Sequence, residues 1–378
     1  MKILLPTNDQ RSSSYKLIGE PILARKPAKP FNRVAFAAGH VVADPLKGGI
    51  DWKDTIAYRR YLLNLGFGIA EAMDTSQRGM GLNWPDALEL VRRSLDDAGP
   101  EKSKLIYSGC GTDHLNPAEQ HTLEDVTEAY LKQLHAIQKL GGRIILMASR
   151  ALVLAAKTPD DYIKVYSAIL RDADHPVVLH WLGPMFDPAL EGYWGTDDFS
   201  DAMETCLAMI NHNISKVDGI KISLLNAEKE IIMRRRLPAS VKMYTGDDFN
   251  YAELIAGDSD GYSHALLGIF DAIAPAASMA LSALAKNDTA KFHTLLSPTI
   301  PLSRLIFQSP TQFYKTGIVF LAWLNGHQDH FVMIAGAQSA RSILHFAEIF
   351  RLADHAGLLR KPEMAVQRMK QLLAVNGL

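Results

Sequence analysis

The stretch Val217-Asp218-Gly219-Ile220-Lys221-Ile222-Ser223 places one lysine between two isoleucines in a short, mostly apolar run. Such a run is typical of a strand in a parallel sheet, which is buried on both faces. Because successive side chains of a strand point to opposite sides, Ile220 and Ile222 are predicted to face surrounding helices and Lys221 to face inward. The stretch therefore predicts a lysine inside a barrel, away from bulk water.

Around this stretch, from Arg33 onward, short apolar runs alternate with longer helical patterns, which is typical of a parallel sheet with crossover helices. The predicted strands are Val34 to Ala38, Gly68 to Met73, Leu105 to Ser108, Ile144 to Ala148, Val177 to Leu179, Gly219 to Ser223, Val241 to Thr245, and Gly261 to Ser263. The predicted fold class is α/β, a (β/α)8 TIM barrel with a C-terminal helical extension. Its active site would lie at the carboxyl ends of the strands.

Helix starts and composition shifts divide the chain. Asn116-Pro117-Ala118-Glu119 and Thr158-Pro159-Asp160-Asp161 each place a cap, a first-turn proline and an acidic third residue in order, which predicts two helix starts. We predict an N-terminal arm over residues 1–32, the barrel over 33–285 and a helical extension over 286–378, with helices alone after Asp271. Helical tails often build subunit contacts, so a homo-oligomer is expected.

Composition restricts the partners. Of the 378 residues, 48% are hydrophobic and 21% are charged, with a formal net charge of −1. A nearly neutral chain has no bulk attraction to nucleic acid or to an anionic membrane, so a small-molecule substrate is expected instead. Cys110 and Cys206 have no metal-ligand or redox spacing, which favours a reducing compartment. Without a secretory signal, or an apolar run of roughly 18 residues that could span a bilayer, the cytoplasm is the expected location.

The stretch around Lys221 resembles the sixth strand of the dihydrodipicolinate synthase and N-acetylneuraminate lyase family, where a Gly-Ile-Lys strand carries a Schiff-base lysine. Downstream, Tyr244-Thr245-Gly246-Asp247-Asp248 resembles the family's seventh-strand Ser-Gly-Asp-Asp, and Gly257 to His264 resembles its glycine-rich eighth strand. Upstream, Leu179-His180-Trp181-Leu182-Gly183-Pro184 takes the place of Leu-Tyr-Asn-Val-Pro. The resemblance extends from Arg33 to Ala285. It implies a divergent branch of this class I aldolase family.

Two positions depart from the family pattern. The fifth-strand tyrosine, which relays protons in the family, is matched by His180. The second-strand Gly-Thr-Thr-Gly-Glu, which holds the substrate carboxylate, is matched by Asp74-Thr75-Ser76-Gln77-Arg78. The resemblance implies that Thr75 and Ser76 bind substrate through their hydroxyls. It also places the Asp74 anion at the substrate-binding turn, which weighs against a pyruvate-type substrate.

Lys221 is the predicted catalytic residue. Burial lowers the pKa of a lysine and raises the fraction of neutral amine that can attack a carbonyl. The resulting imine is an electron sink and needs no further cofactor. Alternatively, Lys221 is paired with a buried carboxylate, either Asp247 or Glu71. His180, with an unperturbed pKa of about 6.5, is the candidate general acid or base, and a hydrogen-bonded rim histidine is the alternative.

Four further residues are candidates at the strand ends. Tyr107, predicted to end the third strand, could transfer protons or be a core aromatic. Arg150, after the fourth strand, would bind a carboxylate or a polyhydroxylated substrate, or else pair with a rim acid such as Asp74. Asp247 and Ser263 are expected to contact substrate through the resemblance of their segments to the family.

Three functions remain open. The leading hypothesis is a Schiff-base-forming lyase that breaks a carbon–carbon or carbon–oxygen bond, an aldolase or dehydratase acting on a small keto acid or keto sugar. The second is a metal-dependent barrel isomerase or lyase, in which His40, Glu71 and Asp113, with Asp74 and His180, would hold a divalent metal. No tight ligand motif supports that site. The third is a non-catalytic ligand-binding barrel.

Overall fold

The computed structural model of the chain describes residues 1–7, 12–23 and 25–378. Eight parallel strands form a closed barrel in which each strand pairs with its neighbours in the chain and the last pairs with the first. An antiparallel hairpin, β1 (Lys2–Pro6) and β2 (Ser12–Lys16), precedes them. The barrel strands are β3 (Ala35–Ala38), β4 (Gly68–Glu71), β5 (Ile106–Cys110), β6 (Arg143–Leu146), β7 (Val177–Leu182), β8 (Val217–Ser223), β9 (Lys242–Thr245) and β10 (His264–Leu267).

Helices alternate with the barrel strands and then continue alone, which confirms the predicted fold class. The helices are α1 (Trp52–Asn64), α2 (Trp84–Lys102), α3 (Leu123–Lys139), α4 (Arg150–Ala155), α5 (Pro159–Arg171), α6 (Phe199–His212), α7 (Ala227–Arg236), α8 (Tyr251–Ala256), α9 (Ile269–Ala272), α10 (Ala274–Leu284), α11 (Thr289–Leu296), α12 (Ile300–Ile306), α13 (Tyr314–Leu324), α14 (Ile343–His355) and α15 (Pro362–Val375). Among the helices that the structure describes, none combines the length and apolar character needed to cross a lipid bilayer.

The residues group into two compact units, neither of which is continuous in sequence. The barrel unit comprises Arg33–Ala38 and Gly68–Leu267, and so contains all eight barrel strands. The helical unit comprises Met1–Asn32, Gly39–Phe67 and Gly268–Leu378. The division into arm, barrel and extension at residues 32 and 285 stays a prediction.

Two predicted boundaries were wrong. The eighth strand is His264–Leu267, not Gly261 to Ser263, because Gly257 (φ 83°) and Gly261 (φ 145°) shape the turn that leads into it. The third helix begins at Leu123, where Thr122 and Asp125 form a capping box, and not after Asn116. Asn116 instead accepts a hydrogen bond from the Ala118 amide in a local turn. The helix start predicted at Thr158 is confirmed by its own capping box with Asp161.

The N-terminal arm is held within the helical unit by one buried carboxylate. Asp354, on α14, is 1% exposed. It accepts hydrogen bonds from the Tyr15 hydroxyl at 2.7 Å and from the backbone amides of Ile18 at 2.9 Å and Gly19 at 3.3 Å. The strand β2 is therefore fixed by a residue more than three hundred positions away in the chain.

Tyr15→Phe is expected to lower the free energy of unfolding by about 1.5 to 3 kcal/mol, because it removes a hydrogen bond to a charged group. Asp354→Ala should cost more, since it leaves three donors without their acceptor. Urea denaturation followed by circular dichroism measures both changes. The control is Tyr262→Phe, which alters an exposed tyrosine. Equal stability of the wild type and both arm variants would contradict this account.

Candidate active site

Lys221 lies inside the barrel. In the strand register it stands beside His180 on β7 and Tyr244 on β9, and Tyr244 belongs to the buried cluster that fills the barrel. Lys221 is 8% exposed, while its neighbours Ile220 and Ile222 are fully or almost fully buried. The strand alternation thus brings the lysine side chain into the interior.

Gly246 has no side chain and so leaves room for the lysine. A Cβ atom at Gly246 would lie 2.7 Å from Lys221 Cε and 2.2 Å from Ser223 Oγ. Real Cβ atoms do not approach other atoms so closely, so a larger residue at position 246 would displace the lysine or Ser223. Gly246 is therefore part of the structure that positions Lys221.

Burial lowers the pKa of Lys221, because the protonated amine is removed from water. The negative charges of Asp248 and Asp74 raise that pKa and oppose the effect of burial without cancelling it. A larger fraction of Lys221 is consequently a neutral amine at neutral pH than for an exposed lysine. A neutral amine is the form that can attack a carbonyl carbon.

His180 is buried beside Lys221 and hydrogen bonds to Ser223, with 3.1 Å between Nε2 and Oγ. Burial lowers the pKa of His180 well below its usual value, and the charge of Lys221 lowers it further. The imidazole is therefore uncharged at neutral pH rather than titrating there. Ser223 was missed as a site residue, although it follows Lys221 by two positions on the same strand and so shares its face.

The turn after β4 carries Asp74, Thr75 and Ser76 as one short 3₁₀ turn. The Ser76 amide donates to Met73 O and the Gln77 amide donates to Asp74 O, both at 2.9 Å. Two non-glycine residues that flank the turn, Ala72 and Gln77, have left-handed backbone angles, with φ of 51° and 65°. Such residues are uncommon and often occur at functional sites.

Arg78 braces this turn. Its guanidinium donates to Ala72 O at 3.2 Å and to Gly109 O, on β5, at 3.1 Å. The same group forms a two-bond ion pair with Asp113 and also donates to Gln133. Arg78 is 4% exposed, so these bonds replace the solvation that a buried cation loses.

A cavity of about 480 Å³ opens among the residues that follow β4, β5, β6 and β7. Asp74 and His180 both line it, and both interact electrostatically with Lys221. Arg150 also lines the cavity, and its guanidinium pairs with Asp187 rather than with Asp74. This volume lies within the range of pockets that bind small molecules. Lys221 itself is not among the lining residues, and Asp74 and His180 are the residues that connect the cavity with the surroundings of the lysine.

Two predicted site residues lie at the opposite ends of their strands. Tyr107 is the second residue of β5 rather than its last, and its hydroxyl accepts a hydrogen bond from Arg143, the first residue of β6, at 3.1 Å. Ser263 precedes β10, and its hydroxyl donates to Glu230 at 2.6 Å. Both expectations depended on predicted carboxyl ends, Ser108 and Ser263, that lie two or more residues before the observed ends of these strands, Cys110 and Leu267. The structure brings neither residue to the cavity.

The two carboxylates proposed as partners of Lys221 bind elsewhere. Asp247 accepts hydrogen bonds from the Phe249 amide at 2.9 Å and the Asn250 amide at 3.0 Å, and so stabilises its own turn. Glu71 accepts from the Ser94 hydroxyl at 2.6 Å, which turns its carboxylate toward α2. The acids that interact with Lys221 are Asp248, which the sequence analysis missed, and Asp74.

Three of the alternative metal ligands, His40, Asp113 and Glu71, are each bound to another residue. In the helical unit, His40 Nδ1 lies 2.8 Å from Asp271. In the barrel unit, Asp113 is paired with Arg78, and Glu71 binds Ser94. Within the described ranges 1–7, 12–23 and 25–378, no group of three or more His, Cys, Asp or Glu residues is placed to hold a metal ion. The metal-dependent alternative thus lacks a ligand set in this part of the chain.

Asp248→Asn is expected to lower the pKa of Lys221 further, because it removes an anion that stabilises the protonated amine. The rate at which an amine-specific reagent labels Lys221, measured against pH by peptide mass spectrometry, gives the pKa directly. Glu128→Gln, which neutralises an exposed acid, is the matched control. A pKa that rises or stays constant in Asp248→Asn would show that Asp248 does not act on the lysine.

A family model described as "Protein of unknown function (DUF993)" matches residues 3–378. A search of curated proteins gave no match.

Solved structures share the barrel fold. The 4-hydroxy-tetrahydrodipicolinate synthase of Methylacidiphilum fumariolicum SolV is 14% identical, with a TM-score of 0.66 over 90% of this chain and 99% of that one. The dihydrodipicolinate synthase of Aquifex aeolicus is 11% identical, with a TM-score of 0.65 over 87% and 99%. The pyruvate complex of the Acinetobacter baumannii enzyme is 16% identical, with a TM-score of 0.62 over 86% and 99%. At these identities the likeness shows the fold, which is the fold that the resemblance around Lys221 implied.

Proposed function

The chain belongs to the family described as "Protein of unknown function (DUF993)", and we propose that it is a Schiff-base-forming lyase of the aldolase or dehydratase kind. Its substrate would be a small keto acid or keto sugar. The observation that carries the proposal is the buried Lys221 amine of lowered pKa, next to His180, which lines a cavity of about 480 Å³. The barrel shared with dihydrodipicolinate synthases supports the proposal. The resembling family carries its Schiff-base lysine on the sixth barrel strand, and Lys221 lies on β8, which is the sixth barrel strand of this chain.

The proposed first step is imine formation. The neutral amine of Lys221 attacks the carbonyl carbon, a carbon–nitrogen bond forms, and the carbonyl oxygen leaves as water after taking up protons. The protonated imine then accepts the electron pair of a breaking bond. If a carbon–hydrogen bond breaks, its proton passes to a base; if a carbon–carbon bond breaks, the distal fragment gives its hydroxyl proton to that base and leaves as an aldehyde. No metal or organic cofactor is required for these steps.

His180 and Ser223 are the proposed proton-transfer pair. His180 is uncharged, so one ring nitrogen can accept a proton while the other donates one, and Ser223 can exchange its hydroxyl proton with Nε2. This pair would take over the role of the tyrosine in the resembling family. Tyr107, Asp247 and Ser263 are left out of the proposed site. Tyr107 and Ser263 stand at the amino-terminal ends of their strands, and Asp247 accepts hydrogen bonds within its own turn.

Asp74, Thr75, Ser76 and Arg150 are the proposed substrate-binding residues. Asp74 and Arg150 line the cavity, whereas Thr75 and Ser76 are buried in the turn that presents Asp74. A homo-oligomeric assembly, a cytoplasmic location and the absence of a nucleic-acid partner stay predictions from the sequence.

Borohydride reduction in the presence of a keto acid or ketose is expected to attach the substrate carbons to Lys221, because the reduced imine is a stable secondary amine. Intact-mass and peptide mass spectrometry locate the adduct. Lys221→Arg should abolish it, since a guanidinium forms no imine under these conditions. Lys242→Arg, on the neighbouring strand β9, should keep it. An adduct that persists in Lys221→Arg would disprove the role of this lysine, and a ligand bound without an adduct would favour the non-catalytic barrel.

His180→Gln is expected to keep imine formation but to lower turnover by about 10² to 10⁴, the usual contribution of general acid–base catalysis. Because the wild-type pKa lies well below the ordinary value, the uncharged imidazole persists as the pH falls through about 6.5, so His180 should cause no loss of activity there. Steady-state rates against pH measure both effects. His180→Tyr, which restores the residue of the resembling family, should recover part of the turnover. Wild-type turnover in His180→Gln would contradict the assignment.

A further inference from the structure

The charges around the proposed lysine site are unusual for an enzyme that binds an anion. The negative charges of Asp74 and Asp248 both act on Lys221. The carboxylate of a 2-keto acid is attached to the carbon that bonds to the lysine, so it would enter the field of these two acids. Like charges placed close together oppose binding.

The cations of the cavity do not offset these acids. Its lining contains four acids, Asp74, Asp113, Glu119 and Asp187, against two arginines. Arg78 is paired with Asp113, and Arg150 is paired with Asp187. His180, the imidazole next to Lys221, is uncharged at neutral pH. Among the described residues that line the cavity, both arginines are therefore already neutralised by a protein acid, and a carboxylate beside the imine would gain no free arginine.

Two backbone amides of the turn after β4 are already used in hydrogen bonds within the protein. The amides of Ser76 and Gln77 donate to Met73 O and Asp74 O within the turn. A substrate carboxylate would have to break these bonds to use the amides.

Hydroxyl groups suit the same surroundings. A carboxylate such as Asp74 accepts hydrogen bonds from hydroxyls, and the Thr112 and Ser149 hydroxyls, 2.6 Å apart, line the cavity as well. The cavity of about 480 Å³ has space for a chain of several hydroxylated carbons.

We propose that the compound that forms the imine with Lys221 is a neutral, hydroxyl-rich ketone of the keto-sugar class and not a 2-keto acid. This inference rests on the proposed function, and chooses between its two substrate classes. Asp74 is the residue that determines the choice. It accepts hydrogen bonds from substrate hydroxyls and repels a carboxylate next to the carbonyl.

The test is reductive trapping with cyanoborohydride, which delivers hydride to the imine carbon and leaves a secondary amine on Lys221. The probes are dihydroxyacetone and erythrulose as neutral ketoses, and pyruvate and 2-ketobutyrate as keto acids, at equal concentration. In the wild type, the ketoses are expected to give at least about tenfold more adduct than the keto acids, because juxtaposed like charges disfavour binding of the keto acids.

Asp74→Gly, which restores the glycine of the resembling family, should raise pyruvate trapping by about tenfold or more, and ketose trapping should fall. Asp74→Asn removes the charge with little change in size, so it should also raise pyruvate trapping even if the glycine variant disturbs the turn. Glu128→Gln, on the exposed side of α3, should leave the preference unchanged.

Two results would overturn the substrate class and leave the lysine chemistry standing. One is a wild-type protein that traps pyruvate to the same extent as the ketoses, and the other is an unchanged preference for ketoses over keto acids in the Asp74 variants. No adduct on Lys221 from any of the four probes, in wild type or variants, would overturn the proposed function and this inference with it. The two failures are therefore distinguishable.

Discussion

The burial of one amine inside the barrel is the constraint on which the site depends. A protonated lysine cannot be moved from water into a protein interior without a large loss of solvation, so it either loses its proton or acquires partners. In this chain both effects operate on Lys221. Burial lowers its pKa, and the negative charges of Asp248 and Asp74 limit the size of that decrease. Gly246 leaves the space through which the side chain passes, since a Cβ atom there would lie 2.7 Å from Lys221 Cε. The net effect is a lowered pKa, so a larger fraction of this amine is neutral than of an exposed lysine.

The same constraint determines the state of His180. Lys221 and His180 stand side by side in the strand register, and the charge of the lysine further disfavours a proton on the imidazole. A proton on one of two basic groups this close disfavours a proton on the other. Ser223 fits this arrangement, because a hydroxyl can either donate to or accept from Nε2 as the tautomer changes. A neutral imidazole and a tyrosine share the ability to donate and accept one hydrogen bond each, which explains how one could replace the other in this position.

The sequence predicts structural features that depend on periodicity. It does not predict features that depend on contacts between residues far apart in the chain. The closed parallel barrel and the inward direction of Lys221 follow from apolar runs and strand alternation, which are local properties. Tyr107 and Ser263 were misplaced because a strand's end is set by its pairing with neighbours, and β5 continues to Cys110 only because it pairs with β6 up to Leu146. The hairpin strand β2, Ser12–Lys16, carries no apolar pattern and is held by Asp354. Asp187 as the partner of Arg150 and Asp248 as a charge acting on Lys221 depend likewise on the closed fold.

Barrels of this kind differ in chemistry through the turns that follow their strands, and the turn after β4 shows how one turn can be redirected. Ala72 and Gln77 hold left-handed backbone angles without being glycine, so the turn is strained and needs support. Arg78 supplies that support through Ala72 O, Gly109 O and Asp113. Because its guanidinium is used in this way, the arginine nearest the turn is not available to a substrate anion. The charge that the turn presents to the cavity is then that of Asp74 alone. Under the proposed function, a single acid on a turn held by Arg78 would determine which carbonyl compounds approach the lysine, while the barrel that holds the lysine stays the same.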